Sequence, residues 1–230
     1  MLLLALDTST AVTAVALLDG ERLLAERRQA SGGHSRSLLP LVDELLAEAG
    51  RAREEIAAVA AGVGPGSFTG VRIGLSVAKL LAFARGLPLL GVSSLRALAE
   101  NGRGLPAAEV CPALDALKGE VFSARFDLPG LAALEPEGAR APADWARALA
   151  AAPVRRVFLG SGAERFRELL ASALGAQALV PTEPELHRVS AAALGRLALA
   201  RLARGERDDP EALEPLYCRL SEAELGHQAS

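Results

Sequence analysis

The sequence predicts an α/β chain of two tandem halves, each a mixed sheet flanked by helices, and three observations predict it. Apolar runs at residues 2–6 and 11–18, the second closed by Asp19-Gly20, start the chain as three antiparallel strands. From residue 34 to residue 99 helical and strand patterns then alternate, which adds parallel strands behind them. After the Gly- and Pro-rich stretch NGRGLPAAE the pattern restarts, which separates an N-terminal unit of residues 1–103 from a more degraded copy in residues 104–230.

In order, the first strand is stopped by Asp7, the second carries Val12, Val15, Leu17 and Leu18, and a third ends near Ala25. Gly32-Gly33 break the pattern. The stretch HSRSLLPLVDELLAEAG then places Leu38, Leu41, Val42, Leu45 and Ala49 at helical spacing before Gly50. Leu39 and Leu46 widen that helix's apolar arc beyond what one sheet face needs. IAAVAAGV, residues 56–63, is unbroken in apolarity and reads as a strand buried on both faces. The glycine stretch GVGPGSFTGVRIG leads into a helix from Val71 to Ala84, ended by Gly86 and Pro88. LPLLGVSSLRALAEN gives a further strand and a short helix that Ser93 or Ser94 caps. The second half offers strands at 109–114 and 120–127, a helix opening at Pro142, the strand VRRVFLG, a glycine turn into a helix, and a last helix over 189–204. Two such halves suit the duplicated architecture of the actin, sugar-kinase and Hsp70 nucleotide-binding domains.

Composition narrows the function. Half of the 230 residues are apolar, enough for a sizeable core. Residues 1–103 carry 11 basic and 10 acidic side chains and the remainder 14 and 18, so neither half offers the basic surface that supplies nucleic-acid affinity. With eight aromatic residues there is little material for base stacking. Cys111 and Cys218 belong to no metal-binding spacing and read as two buried free thiols of a reducing compartment. The start, MLLLALDTST, is apolar for only six residues, without a basic leader or a small-residue cleavage site, which predicts a cytoplasmic protein with no signal peptide and no membrane span. His34 opens a helix, while His187 and His227 stand alone, so each reads as a surface or capping residue rather than a metal ligand. No serine stands in a nucleophile elbow, which leaves a peptidase without its machinery.

The glycine stretch is neither a Walker A loop, which needs Lys-Ser/Thr after its glycines, nor GxGxxG, since Thr69 stands where the third glycine belongs. Two uses stay open. Amides at Gly64, Gly66, Ser67 and Thr69 can hold an anion at the helix start, and Asp7 and Thr8 of the DTST turn can face a phosphate or a hydrated Mg²⁺, unless that turn merely bonds its own backbone. Alternatively Gly70, Gly74, Ala78 and Ala82 form a stripe of small residues that lets another element approach closely, either the chain's own sheet or a foreign helix, with Arg72 on a neighbouring face.

Six strings in order, LALDTST, HSRSLLPLVDELL, GVGPGSFTGVRIGLSVAKLLA, LPLLGVSSLRALA, CPALDALKGEVFSARF and EPLYCR, span nearly the whole chain and resemble the TsaB (YeaZ) family. The resemblance implies a tandem actin-like fold (ASKHA, ribonuclease H-like) in a non-catalytic subunit. It also implies a heterodimer with TsaD, which transfers threonylcarbamoyl to N6 of adenosine 37 of tRNA, alongside the ATPase TsaE and an enzyme supplying threonylcarbamoyl-adenylate. Further implications are tRNA contact through the complex only and, when TsaD is absent, pairing with a second copy, with a monomer as the open alternative. In TsaD the segment after the glycine loop carries metal-binding histidines. Here Ser93, Ser94 and Leu98 stand near those places, and neither hydroxyls nor an alkyl chain replace imidazole on a transition metal. No cofactor of its own is expected, a nucleotide at the TsaD interface remaining open. The family's dimerisation through this helix pair selects His34, Leu38, Leu41, Val42, Leu45, Gly70, Arg72, Gly74, Ala78 and Ala82 as the interface. The competing expectation is an actin-fold ATPase or small-molecule kinase working through Asp7 and the loop from Gly64 to Gly70.

Overall fold

In a computed structural model the protein is described over residues 1–30, 34–128 and 130–218, residues 34–37 by backbone alone. Residues 31–33, Pro129 and 219–230, the last including His227, lie outside the described residues, as do the side chains of His34 and its three successors.

The first half runs β1 (Leu2–Asp7), β2 (Val12–Asp19), β3 (Arg22–Ala30), α1 (His34–Ala49), β4 (Ile56–Gly62), α2 (Phe68–Arg85), β5 (Leu89–Val92) and α3 (Ser94–Ala99). Its sheet order is β3-β2-β1-β4-β5, antiparallel across the first three strands and parallel from β1 to β5. Central β1 is buried at every position because both its faces are covered. Leu4 and Leu6 join Val15, Leu17 and the α1 residues Leu38, Leu41, Val42 and Leu45 on one face. Leu3 and Ala5 point the other way, into a cluster shared with α3 and the last helix, as the two-residue period of a strand requires.

The second half comprises β6 (Glu109–Asp115), β7 (Val121–Asp127), β8 (Ala133–Arg140), α4 (Pro142–Ala150), β9 (Arg156–Leu159), α5 (Ser161–Arg165), α6 (Arg167–Leu174), β10 (Ala178–Leu179) and α7 (Ala191–Ala203). Its order, β10-β9-β6-β7-β8, is the first sheet's order with β6 in the place of β1 and the same strand directions. The halves are one topology used twice. The sequence gives no clear sign of β8 or β10, and of β3 beyond Ala25. These are sheet-edge strands with polar or proline-bearing sequences (ALEPEGAR in β8, ERRQA in β3).

Helix α7 leaves the second half and packs on β1 and β2, where a Cβ on Gly195 would lie 2.5 Å from Leu18 Cδ1. The chain then turns into a strap along β5. Asp208 N donates to Leu89 O at 2.9 Å, its carboxylate accepts from Gly91 N at 2.7 Å and pairs with Arg201, and Leu213 fills the notch left by Gly91. The Ser93 hydroxyl, which caps α3, also donates to Glu137 of β8 and ties the halves together.

Candidate functional site: the glycine turn and the outer face of α2

Between β1 and β2 the chain turns through Thr8, Ser9 and Thr10 directly beneath the glycine stretch. Asp7 is wholly buried. Its Oδ1 accepts from Ser9 N at 2.9 Å and Ser9 Oγ at 2.6 Å, and its Oδ2 from Ser94 Oγ at 2.5 Å. Burial pushes the carboxyl above its ordinary value, and the Ser9 and Ser94 donors only partly offset this.

The glycines make room for that turn. A Cβ on Gly62 would lie 1.9 Å from Asp7 Oδ2, on Gly66 2.2 Å from Ser9 O, on Gly70 2.1 Å from Thr8 O, and on Gly74 2.2 Å from Thr8 Oγ1. Ser67 N donates to Ser9 O at 2.7 Å, Gly70 N to the Ser67 hydroxyl at 3.2 Å, and the Thr8 hydroxyl to Gly70 O at 2.7 Å. Of the amides expected to hold an anion, that of Ser67 is therefore taken by the chain itself. Of the six residues expected to touch an anion, Asp7, Thr8 and Gly64 are buried and Gly66 is half-buried; Ser67 and Thr69 alone are exposed. Both oxygens of the Asp7 carboxylate, which the sequence offered to a phosphate or a hydrated Mg²⁺, are taken in this conformation by Ser9 and Ser94.

The same geometry corrects the expected interface. Gly70, Gly74, Ala78 and Ala82 are buried on the inner side of α2, facing β1 and β4. Leu38, Leu41, Val42 and Leu45 are buried beneath α1. Close approach is what the small residues permit, but the neighbour is the chain's own sheet and the DTST turn, so all eight residues are buried within the chain. The His34 side chain lies outside the described residues. Arg72 is the one interface candidate on the surface: its guanidinium sits 3.8 Å from the Phe68 ring centroid, and its Nε donates to Tyr217 Oη at 2.7 Å.

What α2 turns outward was not singled out from the sequence. Leu80 is 62% and Phe83 83% exposed, on the side away from Ala78 and Ala82, and Leu39 of α1 is also exposed. Phe68, exposed in the first turn, stacks with Tyr217 at 5.3 Å between centroids. The signal was present in LLAFAR: these two large apolar residues fall off the buried series Gly74, Leu75, Ala78, Ala82, so an apolar arc counted without phase hides an outward pair.

For His187, read as a surface or capping residue, the surface alternative is corrected. It is buried rather than on the surface; its Nδ1 accepts from Gly160 N at 3.0 Å and its Nε2 donates to Pro181 O at 2.8 Å, so it is the Nε2–H tautomer closing the turn into α5. Cys111 is buried, with its thiol pushed up by desolvation, while Cys218 is half-buried and raised to about 11 by the same cause. Among the described residues no group of three or more His, Cys, Asp or Glu side chains is placed to hold a metal, and no helix is long and apolar enough to cross a membrane.

Residues 27–227 match the family model described as TsaD, tRNA N6-adenosine threonylcarbamoyltransferase. The chain is 32% identical over 227 residues to the tRNA threonylcarbamoyladenosine biosynthesis protein TsaB of Bacillus subtilis (strain 168), covering 97% of this chain and 96% of that one. A solved structure described as YeaZ from Pseudomonas aeruginosa superposes with a TM-score of 0.76 at 34% identity, over 94% of this chain and 100% of the other. The activator of 2-hydroxyisocaproyl-CoA dehydratase from Clostridium difficile, with bound ADPNP, shares the tandem actin-like fold at a TM-score of 0.53 and 13% identity, over 91% of this chain and 99% of that one. Near-complete alignment with a TsaB and near-complete superposition on YeaZ, over a topology repeated in both halves, make this chain a member of the TsaB (YeaZ) family.

Proposed function

We propose that the chain works in tRNA threonylcarbamoyladenosine formation as a docking subunit that performs no chemistry itself and binds a TsaD-family protein through the outer face of α2 with Leu39 of α1. The observation that carries this reading is the pair Leu80 and Phe83, two large apolar side chains left in water on one helix face. Neighbouring exposed apolar side chains on one helix face are the kind of surface on which a partner docks, and burial of each is worth about 1.5–3 kcal/mol. The sealing of Asp7 among Ser9 and Ser94 supports the non-catalytic part, since the carboxylate that would hold a hydrated metal in this fold has its oxygens committed. The even balance of charge supports tRNA contact through the assembly rather than through this chain alone. The reading needs no cofactor in this chain, leaves TsaE to engage the assembled pair, lets a second copy take the same face when TsaD is absent, and places the protein in the cytoplasm with its tRNA.

The test is a titration of this chain against its TsaD-family partner, followed by a threonylcarbamoylation assay. Phe83→Glu and Leu80→Glu each place a charge at the centre of the patch and should weaken the complex by about 2 kcal/mol or more, with loss of modified tRNA in step and an unchanged melting temperature. Wild-type affinity in both variants would overturn the docking reading.

A further inference from the structure

We infer that the docking surface does not end with α2 but continues onto the chain's own C-terminal strap, and that the cleft between them receives a partner segment carrying a basic and an acidic side chain between apolar ones. The inference rests on the docking reading above and adds its second wall and the chemistry of its occupant.

The strap is fastened by its backbone and by inward side chains. Besides the Asp208 and Leu213 anchors, Leu216 N donates to Val63 O at 2.7 Å, beside the glycine turn. These fastenings leave the Leu216 and Tyr217 side chains exposed at 40% and 46%. Tyr217 meets Phe68 and Arg72, so the strap and the first turn of α2 share one aromatic and cationic cluster. Arg72, Ser76 and Lys79 continue the same outward side of the helix to Leu80 and Phe83, a reach of roughly 22 Å from Phe68 at 1.5 Å per residue.

Between α2 and the strap lies an open cleft of about 430 Å³. Leu75 and Leu213 form its apolar lining, Arg72 and Lys79 stand on the helix wall, and Glu211 and Glu214 on the strap wall. The Lys79 ammonium and the Glu211 and Glu214 carboxylates make no hydrogen bond or ion pair with any described residue, although charges of both signs line one cleft; Glu211 bonds only through its backbone amide, to Asp209 Oδ1. The anchors at Leu89, Gly91 and Val63 hold the walls apart, so these charges are left for an occupant. A polyanion or a nucleotide would face two carboxylates, and a lone cation would face Arg72 and Lys79. A protein segment that offers a cation to the strap wall and an anion to the helix wall, with apolar neighbours over Phe68, Leu80 and Phe83, satisfies all four.

The test uses the full chain and its TsaD-family partner, titrated at low and at physiological salt. Glu211→Gln with Glu214→Gln touches no bond within the chain, so its fold stays intact; it should weaken the complex about fivefold at low salt and flatten the salt dependence. Tyr217→Ser should weaken it about tenfold with little salt effect. If both variants bind as the wild type while Phe83→Glu abolishes the complex, the docking reading stands and the extension onto the strap is wrong. If the paired glutamine variant alters only self-association of this chain, the cleft belongs to a second copy and the inference fails. Wild-type binding by Phe83→Glu would remove the docking reading and this inference with it.

Discussion

Asp7 holds a carboxyl group in a place where its ionised form gains little from water. Because its folded value is raised above the ordinary 3.8, the folded protein takes up a proton there more readily than the unfolded chain. Its contribution to stability is therefore complete below the ordinary value and is lost as pH rises through the raised one. Asp7→Asn keeps an acceptor for Ser9 and a group able to bond Ser94, but nothing that ionises. Urea midpoints of the two proteins measured from about pH 4 to pH 8 should diverge in favour of the variant as pH rises; parallel curves would show that Asp7 does not titrate in that window. The glycines around it tolerate no side chain. Gly74→Ala puts a methyl 2.2 Å from Thr8 Oγ1 and should cost about 1–3 kcal/mol, read as a lower melting temperature.

Helix α2 has two faces with different tasks, and only one of them was legible in the sequence. The small residues spaced four apart announce close packing, and they do pack closely; what the spacing cannot say is whose backbone they meet. That depends on where the DTST turn lies, some sixty residues earlier in the chain, a relation of tertiary structure alone. The central strands β1 and β4 were legible because burial on both faces makes their sequences uniformly apolar, whereas edge strands such as β8 answer to solvent on one side and lose that signature. The strap was also illegible: DDPEALEPLYC has no periodicity, and its course is set by hydrogen bonds to Leu89, Gly91 and Val63. Asp208→Ala removes its partner for Gly91 N and Arg201, so amide exchange at Gly91 and Leu216 should quicken while the core strands keep their protection. An unchanged exchange rate at Leu216 would show that the backbone bonds and Leu213 hold the strap without the Asp208 carboxylate.

At the scale of the molecule, the same five-strand topology appears twice, yet the halves are fastened together rather than hinged about an open site. Ser93 reaches Glu137, Glu26 of β3 accepts from Ser190 Oγ and Ala192 N at the start of α7, and Asn101 donates to the carbonyls of Leu186 and Arg188. With the β1–β2 turn already filled by its own glycine loop, calorimetric titration of the isolated chain with Mg-ATP should give no heat of binding. A measurable site abolished by Asp7→Asn would restore the ATPase reading.

The strap along β5 has one more consequence. A sheet whose outermost strand shows bare amides and carbonyls is a template on which foreign chains can add strands, and the four residues of β5 would otherwise present such a rim. Asp208 occupies it with both its backbone and its carboxylate. The strap thus guards the first half against fibrillar growth, and loosening it would be felt first as precipitation at high concentration.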